Sequence, residues 1–307
     1  FSQRFNFPSA LVPILIENKV SKDNFELFLD PKIKNFLPDP SIFIDMDKTV
    51  KRIANEIENK NPIGIFGDYD VDGATSAALL KLFLQYFGIE VHIHIPDRFL
   101  EGYGPNISAL NSLVSKGSNL IITVDCGINS YEPLKELNKT DIDCIIIDHH
   151  TPDDDLPPAF SIVNPKRKEN GIEYHYLSAV GVTFIMIVGL TRELRQRGVF
   201  KKIKEPNLFM FLDLVAFGTF NVASIAASST LISLVSSSGN KRRISSPMDF
   251  VNPVSVPYIR FIFILFSFQF RVLIFLVFLF LLFSTGSFVS FLHCLMPVSY
   301  THLTLPT

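Results

Sequence analysis

Five aspartates and two histidines follow closely after apolar, β-type runs at 62–66, 120–124 and 144–147. They are Asp68, Asp70, Asp72, Asp125, Asp148, His149 and His150. In an open α/β sheet the loops at the carboxyl ends of parallel strands share one crevice, so we expect these side chains to gather. Such a cluster repels itself unless cations neutralise it, and oxygen-rich sites with few histidines suit Mn²⁺ or Mg²⁺. The pattern predicts a phosphoesterase site that holds two divalent ions.

Other roles for these acids were weighed. The Asp-x-Asp-x-Asp run could be a solvated turn or an EF-hand-like calcium loop, but such a loop needs glutamate at its twelfth position. Counted from Asp68 that position is Leu79, which excludes the calcium loop. Asp125 could cap the next helix, although Asn129 or Ser130 would serve that role better. A single carboxylate at Asp125 could instead bridge two ions about 3.5–4 Å apart.

The elements that must position these residues alternate along the chain. Apolar runs at 63–66, 91–95, 120–124 and 144–147 predict strands, and periodic patterns at 47–59, 74–87, 106–114, 131–137, 178–197 and 207–217 predict helices. This rhythm predicts an α/β fold, a parallel sheet flanked by helices. Residues 1–45 contain five prolines between positions 8 and 40, and we expect them to wrap the core as short helices and turns.

The motifs, in this order, resemble the DHH phosphoesterase superfamily, and within it the RecJ-type single-stranded-DNA-specific exonucleases. The resemblance runs from about residue 23 to 219 and places a DHH phosphoesterase domain at 46–219. It rests on segments 67–73, 124–127 and 148–150, and further on 95–98, 101–106, 156–157, 162–165, 180–182 and 213–219.

The resemblance implies a cytoplasmic, metal-dependent 5′→3′ exonuclease of single-stranded DNA, with a role in DNA repair and recombination. It implies that Asp70 helps to hold one ion and Asp72 the other, and that Asp68 completes the first site. His149 would be a metal ligand and His150 would contact the scissile phosphate. Asp148 would either ligate or orient an imidazole. A DHH phosphoesterase of short oligonucleotides or cyclic dinucleotides, a non-catalytic nucleic-acid-binding relative, and a membrane-attached regulator remain alternatives.

Five further residues are candidates for contacts with the DNA strand. Arg98, Tyr103 and Asn106 would line the substrate groove, with Tyr103 able to stack on a base. Lys166 and Arg167 follow a strand and could bind phosphate. A rigid Gly-Pro turn for the first group and a solvated loop for the second stay open. We expect His92 and His94 to be structural, and Asp213 to be a surface or capping acid.

Composition adds few constraints. The formal net charge is −2, which argues neither for nor against nucleic acid, because a local groove can supply the positive charge. Three cysteines without a C-x-x-C spacing give neither a disulfide framework nor a zinc ribbon, and they suit a reducing cytoplasm.

The sequence changes character after Thr219. The resemblance calls for Gly-Thr-x-x-Asp, but Val222 stands at the aspartate position, and no glutamate occurs from residue 220 onward. Residues 258–283 are long and apolar enough to span a bilayer. We nevertheless expect 220–307 to be a poorly structured, frameshifted and adapter-derived tail without genuine membrane insertion; a real divergent or membrane-attached tail is the alternative. The start at Phe1 suggests a fragment, and this polypeptide should be a weak nuclease.

Overall fold

The four predicted strands and a further short strand form one five-stranded parallel sheet. The computed structural model describes residues 20–21, 25, 28, 32–171 and 173–222. The strands are β1 Ile63–Gly67, β2 Val91–His94, β3 Leu120–Val124, β4 Asp143–Ile147 and β5 Ser161–Val163. Their order in the sheet is β2-β1-β3-β4-β5, with every neighbouring pair parallel. The α/β fold predicted from the alternating pattern is confirmed.

Helices cover both faces of this sheet. They are α1 Met46–Asn59, α2 Val71–Tyr86, α3 Ile107–Ser115, α4 Tyr131–Leu137 and α5 Ala179–Gln196, and residues 212–222 are also helical. Short 3-10 turns lie at Ile33–Asn35, Pro40–Ile42, Lys168–Asn170, Val199–Lys201 and Leu208–Phe211. Helices α1 and α2 both pack on α5, whereas α3 and α4 pack on each other. The sheet is thus buried between two helical layers, which suits the near-continuous apolar strands β1 and β3.

Helix α2 begins earlier than the sequence pattern predicts. The expected start was residue 74, and the observed first residue is Val71. Asp70 takes the N-cap position, where its carboxylate accepts a hydrogen bond from the Gly73 backbone N–H at 3.0 Å. Asp72 therefore lies in the first turn of this helix, whereas the predicted helix began two residues after it.

Part of the predicted N-terminal segment is described and packs on the core. The Pro40 turn lies against Gly189 of α5, where a side chain would come within 3.0 Å of Pro40, and the Phe43 ring lies 5.6 Å from that of Tyr174. From residue 223 onward, the predicted tail at 220–307 lies outside the described residues, and so does its apolar run at 258–283. Within the ranges that the structure describes, no helix combines the length and the apolarity needed to cross a membrane.

Candidate metal centre

The register of the sheet places the residues of the candidate site side by side. Gly67, Val124, Ile147 and Val163 are paired across β1, β3, β4 and β5, so the residues that follow them form one row. That row consists of Asp68, Asp125, Asp148 and Asn164. The backbone ladder continues into it, since the N–H groups of the three aspartates donate to the carbonyls of the neighbouring strand ends. Three acids are therefore held side by side by hydrogen bonds of the sheet itself.

Asp125 is the most constrained of these acids. Its side chain is 1% exposed, its backbone has φ +62°, and neither carboxylate oxygen accepts a hydrogen bond from any residue that the structure describes. Burial, followed by the charges of Asp72, Asp70 and Asp148, raises its pKa well above the ordinary value. A non-glycine residue in the left-handed region is uncommon, and such strain concentrates at functional sites. An orphaned, buried carboxylate of this kind needs a cation.

Two sets of potential ligand atoms meet at Asp125. In each set the side chains offer ligand atoms within 4.8 Å of one another. One set is Asp68, Asp70 and Asp125, and the other is Asp125, His149 and His150. Because Asp125 belongs to both, the geometry suits the bridging role considered for it above. The ligand atoms are carboxylate oxygens and imidazole nitrogens. Manganese binds both kinds of atom, whereas magnesium prefers oxygen ligands.

His149 points a lone pair into this cluster. Its Nδ1 lies 3.0 Å from the carbonyl oxygen of Leu177, which can only accept, so Nδ1 carries the proton. Its Nε2 lies 3.3 Å from Asp125 Oδ1 and 3.6 Å from Asp72 Oδ2. Burial lowers the pKa of His149 to about 4, which keeps the ring neutral. The Leu177 carbonyl thus orients His149 as outer-sphere partners orient metal-binding histidines.

Both carboxylate oxygens of Asp148 accept hydrogen bonds from neighbouring residues. Its two oxygens accept four hydrogen bonds: from the backbone N–H groups of Ile128, His149 and His150, and from His150 Nδ1 at 2.8 Å. Although burial raises the pKa of Asp148, the hydrogen bonds and charge of His150 hold it below its ordinary value. Of the two roles that the sequence left open, this arrangement favours orientation of His150 over metal ligation.

Asp72 is also engaged by backbone donors. Its oxygens accept from the Ala179 and Val180 N–H groups at the start of α5, both at 2.8 Å. Burial raises its pKa to about 7, with the charge of Asp70 adding to the effect. Asp72 lies beside the cluster through its contact with His149, but it is in neither of the two ligand sets. Asp72, which the sequence predicted as a metal ligand, therefore also links α2 to the first turn of α5.

The predicted groove residues fall into two groups. Tyr103 reaches the cluster, with its hydroxyl 3.4 Å from His150 Nδ1, and the Arg98 guanidinium lies 5.5 Å from the centre of the Tyr69 ring. Lys166 is half-buried, and its ammonium has no hydrogen-bond or ion-pair partner within the described part of the chain. Burial lowers its pKa, while the charge of Asp148 acts in the opposite direction.

Arg167 and Asn106 are held in the fold. Arg167 is 8% exposed, and its Nη1 donates to Asp45 Oδ2 at 2.9 Å and to the Ile162 carbonyl at 3.0 Å. The phosphate contact expected of Arg167 therefore does not match its position, because its guanidinium closes a loop within the chain. Asn106 caps α3 by accepting from the Ala109 N–H at 2.8 Å.

Some residues of the site were not expected. Asn164 completes the row, donates through Nδ2 to the His150 carbonyl at 2.9 Å and accepts from the Lys166 N–H at 2.8 Å. Leu177 contributes only its carbonyl, which no side-chain pattern reveals. Asn164 had a signal in the sequence, since it comes directly after an apolar run in the same way as Asp125 and Asp148.

Comparison with known proteins identifies the family of this chain. Residues 62–219, about half of the chain, match the model described as DHH family, N-terminal domain. The chain is 36% identical over 192 residues to the single-stranded-DNA-specific exonuclease RecJ of Haemophilus influenzae, covering 62% of this chain and 33% of that protein. It is 38% identical over 197 residues to RecJ of Bacillus subtilis, covering 64% of this chain and 23% of that protein.

A solved structure is also similar. It is a crystal structure of exonuclease RecJ bound to manganese, which superposes with a TM-score of 0.50 at 30% identity and covers 58% of this chain and 43% of that one. The chain thus spans about a quarter to a third of the length of the two curated relatives, and less than half of the solved chain.

Proposed function

The chain belongs to the DHH family, and on that premise we propose that it carries the metal centre of a single-stranded-DNA-specific exonuclease. The observation that carries this proposal is the buried, donor-free carboxylate of Asp125, shared by two groups of potential ligands. The likeness to proteins named as such exonucleases supports the choice of substrate. The proposed reaction is phosphodiester hydrolysis from the 5′ end, in the cytoplasm, in the service of DNA repair and recombination.

The donor set fits two Mn²⁺ or Mg²⁺ ions. We assign Asp68, Asp70 and Asp125 to one ion, and Asp125, His149 and Asp72 to the other. When bound, the two ions would supply an activated water and neutralise charge that develops on the phosphate. Asp72 would use the lone pairs left over from its two backbone hydrogen bonds, since a carboxylate has about four acceptor sites.

His150 would contact the scissile phosphate. Its Nδ1 is turned towards Asp148, so its Nε2 is left for an oxygen of the substrate. The hydrogen bond that His150 Nδ1 donates to Asp148 raises the pKa of His150 above its ordinary value, and burial opposes this effect. A histidine that holds its proton more readily is suited to donate to an anionic phosphate oxygen.

The strand itself would be held by positive and aromatic groups near the cluster. Lys166 is available for a phosphate, since its ammonium lacks a partner among the described residues. Tyr103 offers a ring face beside His150, and base–aromatic stacking contributes about 1–3 kcal/mol per base. Arg98 extends this surface over Tyr69.

The chain as given should be a weak nuclease. Val222 stands where the resemblance calls for a metal-binding aspartate, and an apolar side chain cannot replace an anionic ligand. We propose that 46–219 is the DHH phosphoesterase domain and that 220–307 is a translated frameshift. Reading the coding DNA after the codon for Thr219 tests this origin, because a one- or two-base change should restore Gly-Thr-x-x-Asp.

Digestion of 5′-phosphorylated single-stranded DNA in Mn²⁺ tests the function. We expect slow release of mononucleotides by this chain and faster release by a frame-restored chain, with the same duplex left intact. Asp125→Asn should abolish release, whereas Asp141→Asn, an exposed acid outside the cluster, should not change it. Equal release by the Asp125→Asn variant would refute the metal centre. Equal release by the original and restored chains would refute the role given to the break after Thr219.

A further inference from the structure

The loop that carries Arg98 and Tyr103 lacks regular structure of its own. Residues 97–106, the 97–106 loop, lie between β2 and the first residue of α3, contain no helix or strand, and end at the N-cap Asn106. At its tip Phe99 is 94% exposed and Leu100 is 86% exposed, so apolar burial does not hold it. Gly102 and Gly104 have φ +80° and +79°, in the region where glycine adds backbone freedom. A loop of this kind needs a specific anchor to keep one shape.

Two carboxylates hold the loop: Asp97 accepts from the Phe99 and Leu100 N–H groups within it, whereas Glu101 ties it to the elements on either side. Glu101 accepts hydrogen bonds from His94 Nε2 at 2.7 Å, from the Asp97 N–H at 3.0 Å and from Asn106 Nδ2 at 3.1 Å. These donors belong to the end of β2, to the start of the loop and to the N-cap of α3, respectively. The three hydrogen bonds lower the pKa of Glu101, led by the one from Asp97.

The base of this anchor is rigid. His94 is the last residue of β2, and its ring stacks on the buried Phe66 of β1 at 5.4 Å between centroids. Asn106 is fixed in turn by its capping bond to Ala109. Glu101 therefore links two fixed points of the fold, and the loop between Asp97 and Asn106 is drawn to both.

The anchored loop sets an aromatic run beside the metal centre. The Tyr103 ring lies 6.0 Å from His150 and 6.4 Å from Tyr69, edge to face in both cases. The Arg98 guanidinium lies over the Tyr69 ring, 5.5 Å from its centre.

We propose that Glu101 is a positioning residue, which holds Tyr103 against His150 and so sets the affinity for a DNA strand entering the metal centre. The inference rests on the proposed function for the identity of the ligand. An ion pair near the surface contributes little to stability on its own. What distinguishes Glu101 is that it joins three elements at once, so its loss should change where Tyr103 lies more than how stable the domain is.

The test uses the full chain with Tyr103→Trp as reporter, because the sequence contains no other tryptophan. Three further variants are compared in that background. Glu101→Gln keeps the shape but places an amide donor against two donors. Glu101→Gln with Asn106→Asp exchanges donor and acceptor between these two residues and restores their bond, while His94 can accept from the new amide in the tautomer protonated at Nδ1. Aspartate caps α3 as well as asparagine does. Glu90→Gln is the matched control, since Glu90 faces His92 at the opposite end of β2.

Three measurements decide the outcome: acrylamide quenching of the tryptophan, affinity for a 5′-phosphorylated phosphorothioate oligodeoxynucleotide in Mn²⁺, and the Mn²⁺-induced rise in Tm. We expect Glu101→Gln to increase quenching and to weaken DNA binding about tenfold, the size of one lost base stack. The rise in Tm should not change. The exchanged pair should restore both affected readouts, and Glu90→Gln should match the parent.

Unchanged quenching in Glu101→Gln, or no recovery in the exchanged pair, would overturn the positioning role. A parent chain that binds Mn²⁺ but not single-stranded DNA would count against the proposed function instead. The quenching data would still decide the role of Glu101 in that case, because they do not depend on the ligand.

Discussion

Replacing Asp125 by asparagine should make the metal-free protein more stable while it removes the response to metal. In the metal-free state Asp125 places a carboxylate in a buried position, with no hydrogen-bond donor among the described residues and with three other acids beside it. An unsatisfied buried polar group costs about 1–3 kcal/mol, and a charge costs more. Asparagine removes the charge and tolerates the positive φ of this position better than most residues. We expect a gain of about 1–3 kcal/mol.

In a domain of this size such a gain raises Tm by about 2–4 °C per kcal/mol. The variant without metal should therefore melt about 2–12 °C above the parent. Added Mn²⁺ at 100 times its Kd should stabilise the parent by about 2.7 kcal/mol and leave the variant unchanged. Differential scanning fluorimetry with EDTA and with Mn²⁺ measures both effects, and Asp141→Asn should behave as the parent does in each condition.

The pH dependence gives a second, independent readout of the same substitution. The folded state raises the pKa of Asp125, so it binds this proton more tightly than the unfolded chain does. Without metal, stability should therefore fall as pH rises above the unfolded value near 3.8, and Asp125→Asn should remove this part of the slope. A lower Tm in EDTA, or a full response to Mn²⁺, would show that Asp125 is an ordinary structural acid.

Three further predictions separate catalysis, folding and metal affinity. Asp148→Asn should keep the Mn²⁺ response but slow nucleotide release about 10–100-fold, since His150 loses the partner that orients it; normal release in a digestion assay would contradict this. Arg167→Ala should lower the free energy of unfolding in urea by about 2–4 kcal/mol without changing DNA affinity, because it breaks a largely buried ion pair, whereas Lys168→Ala, at an exposed pair, should change neither. Val222→Asp should tighten Mn²⁺ binding roughly tenfold, or about 1.4 kcal/mol by calorimetry, and unchanged binding would remove the aspartate position from the site.

The sheet and the gathering of the site could be predicted because both depend on local pattern. The apolar runs that became β1, β3 and β4 are recognisable as strands, and parallel strands end at the same edge of a sheet. Once the register pairs Gly67, Val124 and Ile147, the next residue of each strand must fall in line. The structure adds Asn164 to this line, through the short strand β5.

Partners distant in the sequence could not be predicted. Asp72 meets the start of α5, more than a hundred positions later, and Arg167 meets Asp45, more than a hundred positions earlier. Both contacts depend on how helices and loops close over the sheet, which no local pattern encodes. The consequence was different for the two residues: Asp72 stays beside the cluster, whereas Arg167 is taken out of the groove. The early start of α2 had a local signal, because aspartate is a favoured N-cap.

The distribution of hydrogen-bond donors separates the acids of the site by role. Asp148 accepts four donors and Asp72 accepts two, all from groups that also fix a loop or a helix start. Asp125, which lies next to Asp148 in the row at the strand ends, accepts none from the residues that the structure describes. Backbone N–H groups can compensate a buried carboxylate, and here they compensate Asp148 and, in part, Asp72, but not Asp125. A cation is then the partner left for Asp125. The fold supplies hydrogen-bond donors to Asp148 and Asp72 but none to Asp125 among the described residues, and this difference is what makes Asp125 depend on a metal.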